Sequence, residues 1–379
     1  MDIHIYGAGL AGMTAAIALA REGIRAVVHD EQKNVGGSPA LHPSVHTTPA
    51  QLDELVDYTG IDLRNDFIRT DPYPTFYYGK KLLLFPPYAR HNTAYCVERG
   101  PRATSIDNHL FAIACDEGVD FEFGVKIDLS KVPPRTIVAT GLSPELYERL
   151  NIPCTMIHGR WTHREIEDQR ATGNIFMGPF TTEYGYTAQV NGLDYNLLFS
   201  RYPLTRQDEA AYKEILVFLG REPYPEPWRS VTMAVPADVR LFSGDMICAG
   251  TLSGMIEPFW GYGIVGAIIS GRLAAKAVMA RDEAEADFAR FTRGFHAKHV
   301  RREKFAAHSH RVRELLIKAA LLQGRLACLF DRKRAQRPRE PLRWFRWEPG
   351  RKETLQRFRN RRDSEGGMGY YSHDGSTGE

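Results

Sequence analysis

This chain of 379 residues contains few cysteines, has almost equal numbers of basic and acidic residues, and lacks an extended apolar stretch. Its five cysteines show no Cys-x-x-Cys spacing, which argues against a disulfide framework and a zinc site. A net charge of +3 is too small over this length to indicate a nucleic-acid-binding protein. No apolar run of about 18 residues predicts a transmembrane helix, and no basic residue precedes the first apolar stretch, so we expect no signal peptide. The sequence therefore predicts a protein of the reducing cytoplasm.

The first thirty residues carry the most informative pattern. Residues 2–6 alternate as a strand does, and residues 7–12 read Gly-x-Gly-x-x-Gly. The Ala-, Ile- and Leu-rich residues 13–21 predict a helix that ends near Gly23. Residues 25–29 form a second, β-branched strand that closes on two acids. Strand, glycine turn, helix, strand and terminal acid make the βαβ unit in which this motif indicates a bound dinucleotide.

The turn and its acid predict how a dinucleotide would lie. We expect the glycine turn to approach a pyrophosphate, because the following helix offers it unpaired N–H groups and a positive dipole end. Asp30 lies 18 residues beyond Gly12, where a carboxylate can accept hydrogen bonds from an adenosine ribose and disfavours the 2′-phosphate of NADP. The predicted contacts in this region are Gly7, Ala8, Gly9, Leu10, Ala11, Gly12, Asp30 and Glu31.

Three later glycine segments add to the pattern. Gly36-Gly37 follows the acids, and Ala139-Thr140-Gly141 follows a short apolar strand. The segment 250–263 is glycine-rich, follows a buried strand and leads into a predicted helix over residues 263–279. Long aromatic insertions separate these segments, unlike the regular βαβ repeats of simple nicotinamide dehydrogenases.

With these motifs the sequence resembles FAD-dependent oxidoreductases of the geranylgeranyl reductase and p-hydroxybenzoate hydroxylase superfamily, over roughly residues 1–37, 103–141 and 246–278. The segment 255–275 is most similar to the geranylgeranyl reductases, where a proline and a Gly-x-Gly precede the helix. The resemblance implies that the FAD site also includes Gly37, Ala139, Thr140, Gly141, Gly250, Thr251, Pro258, Gly261 and Gly263. Thr140 and Thr251 stand where the family usually carries aspartate.

The resemblance implies an α/β fold with a Rossmann-like FAD-binding domain, an inserted antiparallel-sheet substrate domain and C-terminal helices. We assign residues 1–72, 100–153 and 240–282 to the FAD-binding domain, 73–99 and 154–239 to the substrate domain, 283–332 to C-terminal helices and 333–379 to a basic, disordered tail. The sequence patterns further predict helices over residues 47–59, 105–117 and 206–219.

The activity implied is that of a FAD-dependent oxidoreductase that acts on a hydrophobic substrate, such as an isoprenoid or another lipid, with NAD(P)H as a candidate electron donor. Two alternatives stay open. A flavin-dependent aromatic hydroxylase would share most of these motifs, and a non-catalytic descendant would bind the nucleotide only as a structural or regulatory element. The sequence identifies no catalytic residue.

Three further features have both a structural and a functional interpretation. His42 and His46 lie in a segment that passes near the flavin ring in the family, and they are loop histidines bonded to backbone, acid–base groups or metal ligands, although no third ligand stands in an obvious position. The aromatic segments 73–78 and 85–88 either line an apolar cavity or pack as strand faces. The resemblance places Phe259-Trp260 at the face of the flavin.

Basic and apolar residues are interspersed over residues 296–325, and further arginines and lysines follow to residue 339. One interpretation is a set of solvated helices packed on the core. The other is a surface that binds the inner face of an anionic membrane, which would suit a lipid substrate.

Overall fold

Three β-sheets with surrounding helices make up the part of the chain that the computed structural model describes, residues 2–84, 94–221 and 223–330, all of which belongs to one compact unit. In chain order the elements are β1 (Ile3–Tyr6), α1 (Leu10–Ala20), β2 (Ala26–Asp30), β3 (Ser44–Thr48), α2 (Leu52–Thr59), β4 (Ile68–Arg69), β5 (Thr75–Tyr78), β6 (Lys81–Leu82), β7 (Tyr95–Arg99), α3 (Ile106–Asp116), β8 (Asp120–Phe123), β9 (Ile137–Val138), α4 (Pro144–Arg149), β10 (Cys154–Glu165), β11 (Thr172–Met177), β12 (Tyr184–Val190), β13 (Leu193–Ser200), α5 (Arg206–Phe218), β14 (Arg229–Pro236), β15 (Phe242–Ser243), β16 (Met246–Cys248), α6 (Ile264–Met279), α7 (Arg281–Phe291), α8 (Phe295–Ala307) and α9 (His310–Phe330).

The six-stranded sheet has the order β15-β16-β9-β1-β2-β8, and all of its neighbouring strands are parallel except β15 and β16. The carboxyl ends of β1, β2, β8, β9 and β16 therefore lie along one edge. Helices α1 and α6 pack closely against each other, since a Cβ atom at Gly271 would lie 2.3 Å from the carbonyl oxygen of Ala11. The predicted Rossmann-like α/β architecture is confirmed.

The seven-stranded sheet has the order β14-β10-β13-β12-β11-β5-β6, and its neighbouring strands are antiparallel except the pair β11 and β5. The three-stranded sheet β3-β7-β4 packs against it, because Val45 and Cys96 belong to the same apolar cluster as Trp161 and Tyr195. The antiparallel sheet expected between residues 154 and 235 is thus present. The predicted division into domains stays a prediction.

One predicted helix is partly wrong. The helix expected over residues 47–59 is confined to α2, and Thr47 and Thr48 instead end strand β3, where they pair with Cys96 and Tyr95 of β7. Both threonines are β-branched, which favours a strand, and Pro49 follows them and separates strand from helix.

The other predicted helices lie where the patterns place them. Ser105 caps α3 by accepting a hydrogen bond from Asn108 N, and Thr205 and Asp208 form a capping box at α5. Helices α7, α8 and α9 occupy the predicted C-terminal helical region. Within the described residues, no helix is both long enough and apolar enough to cross a bilayer. The segment 85–88 and the tail 333–379 lie outside the described residues.

Candidate functional site

A cleft with a cavity volume of about 320 Å³ opens at the edge where the parallel strands end. Ligands of open α/β sheets bind at this edge, next to a strand at which the strand order changes direction. Here that strand is β1, which has β2 on one side and β9 on the other, so the loops that follow β1 and β9 diverge and leave a cleft. The residues that line the cleft and were predicted to bind the cofactor are Gly7, Gly9, Leu10, Ala11, Asp30, Glu31, Gly37, Ala139, Thr140, Gly141, Gly250, Thr251, Gly261 and Gly263.

Glycine occupies the three positions of the first turn for different physical reasons. A Cβ atom at Gly7, whose φ is +112°, would lie 2.4 Å from the carbonyl oxygen of Ala139, and one at Gly12 would lie 1.8 Å from the carbonyl oxygen of Gly7. A Cβ atom at Gly9 would meet no protein atom within 4 Å, and its φ of −85° is open to any residue. Gly7 and Gly12 are therefore required by packing, whereas Gly9 leaves its backbone bare toward the cleft.

Two helices begin at this cleft without a cap. Helix α1 starts after Gly9 and α6 starts after Gly263, and neither has a side-chain cap or an acid in its first turn. The first N–H groups of a helix have no intrahelical partner, and the dipole makes that end positive. The cleft thus presents two anion-attracting ends to one ligand, which fits a dinucleotide.

Asp30 holds the glycine turn itself. Its Oδ2 accepts a hydrogen bond of 2.6 Å from Ala8 N, and its Oδ1 accepts one of 2.8 Å from Gln32 N. Each carboxylate oxygen can accept more than one hydrogen bond, so the role expected at a ribose is compatible with this geometry. Glu31, beside it, is exposed and also lines the cleft.

Thr140 and Thr251 both face the cleft. Thr140 Oγ1 is buried and has no hydrogen-bond partner among the residues that the structure describes. A buried hydroxyl without a partner costs free energy, so it fits a site that a polar ligand group completes. The carbonyl oxygen of Thr251 accepts a hydrogen bond of 2.9 Å from the Tyr147 hydroxyl, which fixes the late glycine segment.

Three predicted cofactor contacts lie elsewhere. Ala8 and Gly12 do not line the cleft, since the first donates to Asp30 and the second packs on Gly7, and Pro258 lines the adjoining cavity instead. Sequence reasoning missed the loop after β8, where Val125, Lys126 and Ile127 line the cleft. Beyond the predicted Gly141 it also missed Leu142, Ser143 and, in α4, Glu145 and Leu146. Both segments follow strands that the sequence does predict, and strand order was the missing information.

A second, mainly apolar cavity of about 180 Å³ adjoins the cleft. The two share their lining at His46, Leu142, Leu197, Met233, Ile256, Gly261, Gly263 and Ile264. Aromatic residues Tyr184, Tyr186, Phe259 and Trp260 line the second cavity. The Phe259-Trp260 pair thus lies close to the shared boundary.

Glu257 positions this aromatic turn. The carboxylate is buried and its Oε2 accepts hydrogen bonds from the backbone N–H groups of Phe259 (2.9 Å) and Trp260 (2.6 Å). Its other oxygen lies 3.2 Å from Lys298 Nζ of α8. From the segment 73–78, Phe76 contacts the Trp260 ring edge-on and lies in the core, as in the packing interpretation.

Four charged side chains at the cavity form a paired cluster. Arg201 donates from Nε to Glu183 at 2.7 Å and from Nη1 to Glu303 at 2.5 Å, and Arg302 of α8 also pairs with Glu183. Burial, with the nearby Arg313 as the second cause, lowers the pKa of Arg302 to about 10. The two arginines and the two glutamates balance one another in formal charge at the edge of this mainly apolar cavity.

His42 and His46 are joined through a hydroxyl. His42 Nδ1 lies 2.8 Å from Ser44 Oγ, which lies 2.9 Å from His46 Nε2. Burial, with the Arg99 guanidinium as the second cause, lowers the pKa of both histidines to about 3, so both rings are neutral at physiological pH. Among the described residues no group of three or more histidines, cysteines and acids is arranged to hold a metal ion.

Comparison with known proteins agrees with this architecture. Residues 5–52 match the family of NAD(P)-binding Rossmann-like domains. The sequence matches no curated protein. Among solved structures, a geranylgeranyl bacteriochlorophyll reductase-like protein from Thermoplasma acidophilum superposes with a TM-score of 0.62 at 16% identity, covering 87% of this chain and 96% of its own.

Two further solved structures share the fold. A p-nitrophenol 4-monooxygenase from Pseudomonas putida matches with a TM-score of 0.57 at 15% identity, over 89% of this chain and all of its own. The protein CtdE, solved in complex with FAD, matches with a TM-score of 0.53 at 12% identity, over 89% of this chain and 99% of its own. The chain thus has the fold of these proteins across most of its length.

Proposed function

We propose that this protein is a FAD-dependent oxidoreductase that acts on a hydrophobic substrate of the isoprenoid or lipid class. The observation that carries the proposal is one cleft with two uncapped helix N-termini and a bare glycine backbone, continuous with an apolar, aromatic-lined cavity. The first half suits a dinucleotide, and the second suits a substrate that must be kept from water.

Residues of the cleft, including those on its boundary with the apolar cavity, would hold the cofactor. The first N–H groups of α1 beside Gly9 would bind the diphosphate, and Asp30 with Glu31 would face the adenosine. Gly261, Gly263 and the N-terminus of α6 would face the flavin end, near the shared boundary. When bound, FAD supplies the transfer of a hydride or of electrons, while the protein supplies orientation and exclusion of water.

The reaction class is tested by single turnover. The FAD-loaded protein is reduced anaerobically and mixed with a polyprenyl lipid extract, and products are analysed by mass spectrometry with NADH and NADPH compared as donors. We expect reoxidation of the flavin and lipids that have gained two hydrogens. Incorporation of an oxygen atom under air would identify a hydroxylase instead, and no redox change of the flavin with any lipid would contradict the proposal.

We further propose that the C-terminal helices bind the inner face of an anionic membrane. Helix α9 turns Ile317 and Leu321 toward the core but exposes an apolar stripe. The stripe consists of Val312, Leu315, Leu316, Ala319, Leu322 and Leu326, spaced at helical intervals. Arg311 and Lys318 are exposed beside it, and the sequence continues with the basic residues up to Arg339. An apolar stripe with basic flanks fits anionic headgroups over acyl chains.

Vesicle binding tests this surface. The full chain is expected to sediment with vesicles that contain phosphatidylglycerol more than with pure phosphatidylcholine. The double substitution L315E/L322E should lower vesicle affinity by about tenfold or more, because it places two charges at the acyl boundary. V217E is the control for loss of exposed apolar surface outside α9, since Val217 is 62% exposed and belongs to α5. An equal loss of vesicle affinity in the control, or no vesicle binding by the unaltered chain, would refute the proposal that this surface binds a membrane.

A further inference from the structure

We propose that His42, Ser44 and His46 form a proton path from the cofactor cleft to the apolar cavity, with His46 as the group that exchanges a proton with the substrate. This inference rests on the proposed function. It assigns to the chain the proton donor that the sequence leaves unidentified.

The hydrogen bonds of the path are continuous, and they connect the cofactor cleft with the apolar cavity. His42 lines the cofactor cleft, whereas His46 lies on the boundary that the cleft shares with the apolar cavity. The buried Ser44 hydroxyl bridges Nδ1 of the first ring and Nε2 of the second at 2.8 and 2.9 Å. The remaining nitrogens, Nε2 of His42 and Nδ1 of His46, have no protein partner among the described residues.

Strand geometry explains the alignment. Side chains two apart on a strand share a face, so Ser44 and His46 of β3 point the same way. Pairing of Ser44 with Arg99 and of His46 with Val97 of β7 fixes their register. The chain of hydrogen bonds is therefore built into the three-stranded sheet.

The surroundings keep both rings neutral. Arg99 is held in a bidentate pair with Asp107 at 2.7 and 2.8 Å, and its positive charge together with burial disfavours protonation of both histidines. A neutral imidazole carries one proton and one lone pair. Tyr186, whose ring centroid lies 6.4 Å from that of His46, completes this side of the cavity.

The proton balance closes over the three side chains. Reduction of a carbon–carbon double bond adds a hydride, which bound reduced FAD would supply, and a proton. His46 gives the proton from Nδ1 and receives one at Nε2 from the Ser44 hydroxyl. Ser44 is refilled from Nδ1 of His42, and Nε2 of His42 takes a proton from a solvent water molecule, which leaves as hydroxide. No side chain ends charged, and the two rings, which end as their other tautomers, return to the starting tautomers by exchange with solvent before the next turnover.

Exchange of the ring N–H protons with deuterated water tests the path without substrate or turnover. In the full chain labelled with ¹⁵N-histidine, the S44A variant is expected to slow exchange of the His46 ring proton by about tenfold or more, since the link between the rings is removed. H42Q should slow it similarly. T232A is the matched control, because Thr232 bonds His158 (3.4 Å), which lines neither cavity.

Two readouts separate the possible outcomes. Backbone amide exchange at Val45 and Val97 is expected to be unchanged, which excludes local opening as the cause. FAD titration of S44A should give the affinity of the unaltered chain, since Ser44 does not line the cleft. An unaffected His46 exchange rate in S44A and H42Q would overturn the proton path while leaving the proposed function intact, whereas loss of FAD binding by the unaltered chain would overturn the proposed function itself.

Discussion

Replacement of Gly9 by alanine is expected to weaken FAD binding by about 100-fold, equivalent to about 2.7 kcal/mol, without unfolding the protein. A Cβ atom at this position meets no protein atom and φ is ordinary, so the folded chain accepts alanine. The added methyl group would instead occupy the space at the start of α1 where we place the diphosphate. Isothermal titration with FAD and thermal unfolding of the cofactor-free protein measure the two effects.

Gly12→Ala provides the contrast. Its Cβ atom would lie 1.8 Å from the carbonyl oxygen of Gly7, so this substitution must displace backbone and is expected to lower the unfolding temperature as well as FAD affinity. Undiminished FAD affinity in the Gly9 variant would mean that no ligand approaches the turn there. Equal destabilisation by the two substitutions would mean that Gly9 serves packing alone.

Glu183→Ala should have the largest effect on stability. The carboxylate is buried and pairs with both Arg201 and Arg302, and the Arg302 side chain is itself only 6% exposed. Removal of one partner of a buried ion pair leaves uncompensated charge, which typically costs about 3–5 kcal/mol. Chemical denaturation of the cofactor-free protein measures the change in the free energy of unfolding.

An exposed ion pair serves as the control. Glu285 lies 3.2 Å from Arg281 one helical turn away and both side chains are about half exposed, so Glu285→Ala should change the free energy of unfolding by less than about 1 kcal/mol. The double variant E183L/R302M should regain part of the stability lost in Glu183→Ala, since apolar replacement removes the unpaired charge. A loss as small for Glu183→Ala as for the control would show that water reaches the cluster.

Local sequence is sufficient to predict the part of the cleft formed by the first glycine turn. The turn at residues 7–12, its helix and the acid at Asp30 are neighbours along the chain, and their spacing alone defines the βαβ unit. The late segment 250–263 was recognised because the glycines and the following helix are again contiguous. The loop after β8 and the cleft residues beyond Gly141 required the strand order, which no local pattern encodes.

The charged cluster of the second cavity could not be predicted from spacing. Glu183 and Arg302 are 119 positions apart in the sequence and meet only through the tertiary fold, which brings α8 to the residue that precedes β12. The path through Ser44 was missed for another reason. Residues 42, 44 and 46 alternate as strand neighbours do, but β3 depends on pairing with the distant β7, which no local pattern encodes.

Direct binding of FAD by the full chain tests the central claim. Purified protein, stripped of bound nucleotide and titrated with FAD, is expected to take up one FAD per chain, to show the flavin bands in its visible spectrum and to quench flavin fluorescence. A colourless protein that leaves FAD free in solution at saturating concentration would contradict the account, whatever else the two cavities bind.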